Sequence, residues 1–86
     1  MESQLKNIDR SHAVFIMAGS SSQYTAARQI LNLSPREAFW LTRPSDLKDL
    51  RSPKVYRFGT WQALPRILDI EAAMAAAEAE IIDLPG

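Results

Sequence analysis

The fold is decided by one stretch near the amino terminus, His12-Ala13-Val14-Phe15-Ile16-Met17-Ala18-Gly19-Ser20-Ser21-Ser22-Gln23. The six residues 13–18 carry no charge and no hydrogen-bonding side chain. Such a run is too short to span a membrane and is typical of a strand that is covered on both faces. Gly19 breaks the strand, and the three serines after it offer side-chain caps for a helix. The stretch therefore predicts the first half of a β-α-β unit.

Further helices and strands follow in alternation. We predict a helix over about 21–32, with a buried face formed by Tyr24, Ala27, Ile30 and Leu31 and with Asn32 as its terminator. A short aromatic strand is predicted over 38–41, and one or two helical turns over 45–50. The alternating residues 54–58 predict a half-exposed strand at a sheet edge. The final helix is predicted over 65–81, with Pro65 as its first residue and an apolar stripe at Ile67, Ile70, Met74, Ala77 and Ile81.

Three strands joined by helical crossovers predict a parallel sheet with right-handed connections. The first strand is the most apolar, so we place it in the centre, in the order 2-1-3. With helices on both faces, this is a small three-layer α/β domain, equivalent to half of a Rossmann-like fold. Residues 12–86 are expected to form this single domain after a flexible lead-in over 1–11.

Composition excludes several classes of protein. A chain of 86 residues is one domain, and the absence of cysteine excludes disulfides and thiolate metal sites. The polar start is not a signal peptide, and no apolar run approaches about 18 residues. We expect a soluble cytoplasmic protein with no membrane partner.

The net charge of zero hides an asymmetry. Residues 28–66 hold eight bases against three acids, a balance of +5, whereas residues 67–86 hold five acids and no base, a balance of −5. Two interpretations stay open. Either the acidic final segment packs against the basic middle and neutralises it, or a basic face is left free for an anionic partner. Aromatic residues interleaved with the bases are compatible with nucleic-acid binding: Trp40, Tyr56, Phe58 and Trp61.

The predicted ligand site lies at the carboxyl ends of the strands, where open α/β sheets bind their ligands. The candidate residues follow the three strands and are Ser20, Ser21, Ser22, Gln23, Arg43, Thr60 and Trp61. The serines offer backbone amides at a helix amino terminus that suit a phosphate, although the glycine patterns of a P-loop and of a dinucleotide site are absent. Arg43 suits an anion, while Thr60 and Trp61 add a hydroxyl and a stacking face.

Each of these candidates also has a purely structural interpretation. The serines can form a turn with an N-cap, Arg43 can be an exposed loop residue, and Trp61 can be a lid on the core. For catalysis, His12 is the only histidine and precedes the first strand, at the end opposite the predicted site. We therefore predict no catalytic residue, no metal site and no cofactor.

Several short motifs resemble small α/β proteins encoded by bacteriophages and prophages, over about residues 13–74. They are Ala18-Gly19, Gln23, Arg43-Pro44-Ser45-Asp46-Leu47, Leu50-Arg51-Ser52-Pro53, Val55-Tyr56-Arg57-Phe58-Gly59-Thr60-Trp61 and Asp69-Ile70-Glu71. The resemblance implies a viral or mobile-element origin and, with it, the host cytoplasm. That family brings no established activity, but such proteins often bind a host component.

The sequence thus leads to two functional expectations. The first is a non-catalytic binding domain that holds an anionic ligand, a nucleic acid or a nucleotide phosphate, at the carboxyl ends of the strands. The alternative is a phage-type adaptor that binds a host protein or self-associates as a homodimer through the final helix, where small residues allow close approach.

Overall fold

The computed structural model describes residues 14–85, so the predictions for the lead-in over 1–11 and for His12 lie outside the described residues. The strands are β1 (Val14–Ala18), β2 (Ala38–Trp40), β3 (Lys54–Phe58) and β4 (Glu80–Asp83). The α-helices are α1 (Ser21–Ile30) and α2 (Ile67–Ala76), and two 3-10 helices span Pro44–Leu47 and Trp61–Ala63. The helical turns predicted over 45–50 are a 3-10 helix that begins one residue earlier and ends three residues earlier, at Leu47.

The four strands form one parallel sheet in the order β2-β1-β3-β4. The central position of β1 and the arrangement 2-1-3 are confirmed, with Val14 opposite both Ala38 and Lys54. The prediction of three strands was wrong, because β4 pairs with the outer side of β3. As a result β3 lies inside the sheet and not at its edge.

The fourth strand was missed because the final helix ends at Ala76 and not at Ile81. The chain reverses through Glu78, which has a positive φ of 56°. A glutamate seldom adopts this left-handed conformation, so the usual glycine signal for the end of a helix is absent here. The start of α2 was also placed too early, because Arg66 is left-handed (φ 62°) at the N-cap and the helix begins at Ile67.

Alternate side chains of β1 point to opposite faces of the sheet, and each face has its own helix. On one face, the α2-side cluster comprises Phe15, Met17, Leu41, Leu47, Val55, Leu64, Ile70 and Met74. On the other face, the α1-side cluster comprises Ile16, Ala18, Ala27 and Ala38. The predicted placement of helices on both faces is confirmed. Neither helix of the described residues has the length and apolar character needed to cross a membrane.

One residue of the predicted buried face of α1 points outward. Ile30 is 57% exposed, whereas Ala27 is fully buried. At about 100° per residue, Tyr24 and Leu31 fall on one side of Ala27 and Ile30 falls on the other. The sheet therefore covers Tyr24 and Leu31, which pack on the α1-side cluster, and leaves Ile30 outside. Asn32 is left-handed (φ 57°) just after the helix, and its predicted role as terminator is confirmed.

Candidate functional site

The carboxyl ends of β1, β2 and β3 lie at the same edge of the sheet, because the strands are parallel. The seven predicted site residues follow these three ends. After β1 the chain passes through α1 to β2, which lies on one side of β1 in the sheet. After β3 it passes through α2 to β4, which lies on the opposite side. The gap between the exits of β1 and β3 is therefore the switch point at which open α/β sheets form their ligand crevice.

Gln23 bridges the two loops on either side of that gap. Its Oε1 accepts hydrogen bonds from the backbone N–H of Gly19 at 2.8 Å and from that of Thr60 at 3.0 Å. The Thr60 hydroxyl lies 3.3 Å from the same oxygen and accepts from Nε2 at 3.1 Å. Gln23 was predicted as a ligand contact, but its carboxamide is engaged within the protein.

The close approach of these loops requires glycine on both sides. A Cβ on Gly19 would lie 2.6 Å from the carbonyl oxygen of Thr60 and would also overlap its hydroxyl. A Cβ on Gly59 would lie 2.6 Å from Cδ of Gln23, and Gly59 has a positive φ of 62°. Both glycines therefore serve to let the carboxamide of Gln23 close the gap.

The three serines form the first turn of α1. Ser20 is the N-cap, with extended backbone (φ −153°), and its Oγ accepts from the backbone N–H of Gln23 at 3.2 Å. Ser21 and Ser22 are exposed, and the first turn holds no acidic residue. Both serines line an open depression of about 360 Å³ along α1, which continues past Thr25, Ala26 and Gln29.

Arg43 follows β2 and points into solvent. Its side chain is 71% exposed, and its Nη2 lies 3.6 Å from a carboxylate oxygen of Asp46. The other oxygen of Asp46 accepts from the backbone N–H groups of Thr42 at 3.3 Å and Arg43 at 3.2 Å. These bonds fix the loop, while the exposed and distant ion pair holds the guanidinium only weakly.

Trp61 covers the core and carries a cation on one face. It packs against the α2-side cluster, and the guanidinium carbon of Arg57 lies 4.3 Å from its ring centroid. The lid interpretation of Trp61 is confirmed, and the face that contacts Arg57 is not open to a stacked base.

The same Arg57 forms a bidentate ion pair across the end of the sheet. Its Nε and Nη2 donate to the two carboxylate oxygens of Asp83 at 2.6 and 2.8 Å. These bonds lower the pKa of Asp83 and raise the pKa of Arg57. This pair was missed because Asp83 was predicted to follow a helix and not to lie in a strand beside Arg57.

The charge asymmetry of the sequence is partly neutralised in the fold. Besides the pair between Arg57 and Asp83, Arg66 lies 3.3 Å from Asp69, and Lys54 is opposite Glu80 in the sheet. The two ion pairs and the register of β4 against β3 support the interpretation in which the acidic final segment packs against the basic middle. Of the predicted site residues, Arg43 is the one that carries a positive charge.

Sequence reasoning also missed the role of Trp40 in shaping this edge. Its indole N–H donates to the carbonyl oxygen of Ala18 at 3.0 Å, and its ring stacks on Tyr24 with centroids 5.7 Å apart. The ring thus joins the ends of β1 and β2 to α1. The clue was an aromatic residue with a polar group at a strand end.

Within residues 14–85, no three histidine, aspartate or glutamate side chains gather as metal ligands. Comparisons of the chain with protein-family models, with curated proteins and with solved structures find no match.

Proposed function

We propose that the protein is a small non-catalytic binding domain whose ligand carries a phosphate, as a nucleotide or a nucleic acid does. The supporting observation is the exposed first turn of α1, where Ser21 and Ser22 stand beside the switch point with no acidic neighbour in that turn. The N–H groups of a first turn have no acceptor within the helix, and the helix dipole favours an anion there.

In this proposal the remaining candidates divide into contacts and supports. Ser21 and Ser22 are assigned to one phosphate, and Arg43, which lines a separate depression beside β2, is assigned to another part of the ligand. The polar groups of all three residues are exposed. Ser20 and Gln23 hold the loop in place, since the first caps the helix and the second joins it to Thr60. Trp61 lies on the α2 side of this edge, where its ring contacts Arg57.

A binding role suits these side chains better than catalysis does. The seven residues comprise serine, glutamine, arginine, threonine and tryptophan. They offer hydrogen bonds and one cation, but no carboxylate or imidazole that would transfer a proton near neutral pH.

The test is binding of a fluorescent single-stranded oligonucleotide and of a labelled nucleoside triphosphate, followed by anisotropy at two salt concentrations. Ser22→Asp is the informative variant, because an acid in the first turn stabilises the helix but repels a phosphate. We expect about a tenfold loss of affinity, since like charges roughly 4 Å apart cost about 1 to 4 kcal/mol. Ser52→Asp is the matched control, because it makes the same change at an exposed serine just before β3, at the opposite edge of the sheet.

Arg43→Ala measures the second contact. We expect it to reduce the dependence of log affinity on log salt by about 0.7 for a single strand, the value of one phosphate contact. Absence of binding by the unmodified chain at low salt would contradict the proposal. Equal losses in Ser22→Asp and Ser52→Asp would contradict the assigned position of the phosphate.

The second candidate function, an adaptor for another protein, is favoured by one observation. Leu68 is 76% exposed on the outer side of α2. The resemblance to phage and prophage proteins makes a bacterial host protein the partner in this proposal. The predicted stripe of α2 is not the contact, because Ile70 and Met74 are buried against the sheet. Leu68→Ser should reduce capture of a partner from a bacterial lysate, and Ile30→Ser, which removes an exposed isoleucine from α1 on the other face of the sheet, should not.

A further inference from the structure

The outer edge of β4 presents backbone groups that the described residues leave without partners. On the inner side, the N–H of Glu80 donates to Pro53 at 2.8 Å and that of Leu84 donates to Arg57 at 2.9 Å. Because backbone direction alternates along a parallel strand, the N–H and C=O groups of Ile81 and Asp83 point away from β3. These two residues thus offer two donors and two acceptors to a further strand.

The side chains of β4 are unusual for a parallel sheet, whose strands are normally covered on both faces. Neither isoleucine of β4 is among the residues that pack on the two core clusters. Ile81 is 43% exposed, and Ile82 is half-buried. A row of unpaired N–H and C=O groups beside an exposed isoleucine is a template for pairing with another chain.

The charged residues of β4 do not prevent pairing at this edge. Acidic residues flank the isoleucines, and charged residues commonly prevent edge-to-edge pairing. Here, however, Asp83 accepts hydrogen bonds from Nε and Nη2 of Arg57 in the same chain. Glu80 lies opposite Lys54 in the strand register. Asp83 is thus paired within the chain, and Glu80 has a base as its neighbour in the register, so the two acids of β4 are balanced by two bases of β3.

We propose that β4 pairs with β4 of a second copy, in antiparallel orientation about a two-fold axis at Ile82. In this register Ile81 of each copy faces Asp83 of the other, which gives four hydrogen bonds. An axis at Ile81 would need the N–H of Ala79, which is already donated to Met74 at 2.9 Å. An axis at Asp83 would oppose Ile81 to Pro85, which has no N–H. The Ile82 register therefore satisfies the most backbone groups.

The dimer predicted in this way is an eight-stranded sheet with the two carboxyl edges pointing in opposite directions. The two Ile82 side chains meet at the axis. Strands of four residues bury little surface, so we expect an association that dissociates on dilution. The phosphate site is not part of this interface, and either proposal can fail without the other.

The first test is sedimentation equilibrium of the full chain over a hundredfold range of concentration. The expected mass rises from 9.6 kDa toward twice that value. Ile81→Pro removes an N–H that the chain's own sheet does not use, so it should abolish the rise while circular dichroism stays unchanged. Ile81→Thr keeps the N–H and should still associate. A constant monomer mass for the unmodified chain at every concentration would overturn the proposal.

The second test measures the register and does not depend on the proline variant. The chain has no cysteine, so one introduced cysteine reports a single distance. In the proposed register the Cα atoms of residue 82 lie about 4.5 Å apart, within disulfide range. Those of residue 81 lie about 8 Å apart, beyond that range. Mild oxidation should therefore cross-link Ile82→Cys and not Ile81→Cys, and the reverse result would overturn the register.

Discussion

At the scale of the residue, the carboxyl edge depends on Gln23. One carboxamide oxygen accepts from the backbone of two loops that are far apart in sequence, at Gly19 and Thr60. Both loops have a glycine where a side chain would prevent this contact. The carboxamide thus joins two backbone segments that also approach each other closely.

Gln23→Ala should lower the free energy of unfolding by about 1 to 3 kcal/mol, because two backbone N–H groups lose their acceptor. Urea denaturation measures this loss. Gln23→Glu is the matched control, since its carboxylate still accepts from both N–H groups and lies near the positive end of α1. Equal losses in the two variants would show that the acceptor oxygen is not what stabilises the edge.

Local patterns predicted only part of this site. The serine cap and the shared edge followed from short-range rules, because a helix start and parallel strands need no distant partner to be identified. The contact between Gln23 and Thr60 joins residues 37 positions apart. Nothing near Gln23 distinguishes it from an ordinary exposed residue of a first helical turn, so its role appears only in three dimensions.

At the scale of the element, α2 and β4 show where periodicity is insufficient. The alanines favoured a helix as far as Ile81, and Ile81 fits the spacing of the stripe that begins at Ile67. The isoleucine pair is also a strand signal, but the run is only four residues long. Because Glu78 supplies the left-handed turn without a glycine, no local residue marks the change from helix to strand.

Ile70→Ala should destabilise the protein by about 2 to 5 kcal/mol, because Ile70 is fully buried between α2 and the sheet. In a domain of this size such a loss is a large part of the total stability. Leu68→Ala, two residues earlier and largely exposed, should change stability by less than about 0.5 kcal/mol. Thermal denaturation of both variants checks the assignment, and similar losses would mean that the buried face of α2 is wrongly placed.

At the scale of the whole molecule, the ion pair between Arg57 and Asp83 joins the final strand to the rest of the sheet and links stability to pH. Its hydrogen bonds depress the pKa of Asp83 in the folded state. A bond from the backbone N–H of Ser34 likewise depresses the pKa of Glu37. A depressed folded pKa adds stability above the unfolded value, near 4, and that stability is lost as the pH falls through the folded pKa.

Stability should therefore fall on acidification below about pH 4, and Asp83→Asn should make this fall smaller. The measurement is the urea midpoint between about pH 6 and pH 2. Asp69→Asn is the control, because it removes the same charge from an exposed pair that has one contact with Arg66 at 3.3 Å. A pH profile that Asp83→Asn and Asp69→Asn alter to the same extent would contradict the assignment to Asp83.

The strand order also has a kinetic consequence. Val14 pairs with Ala38 and with Lys54, which lie 24 and 40 positions later in the chain. The central strand cannot gain its second neighbour until both crossovers have closed. The chain loses conformational entropy on closing these loops before it gains free energy from strand pairing. During synthesis β1 would emerge long before β3, and β4, which touches only β3 within the sheet, would be the last strand to join. Chains interrupted before that step would expose the edge of β3, with Tyr56 and Phe58 beside it, and would be prone to aggregate.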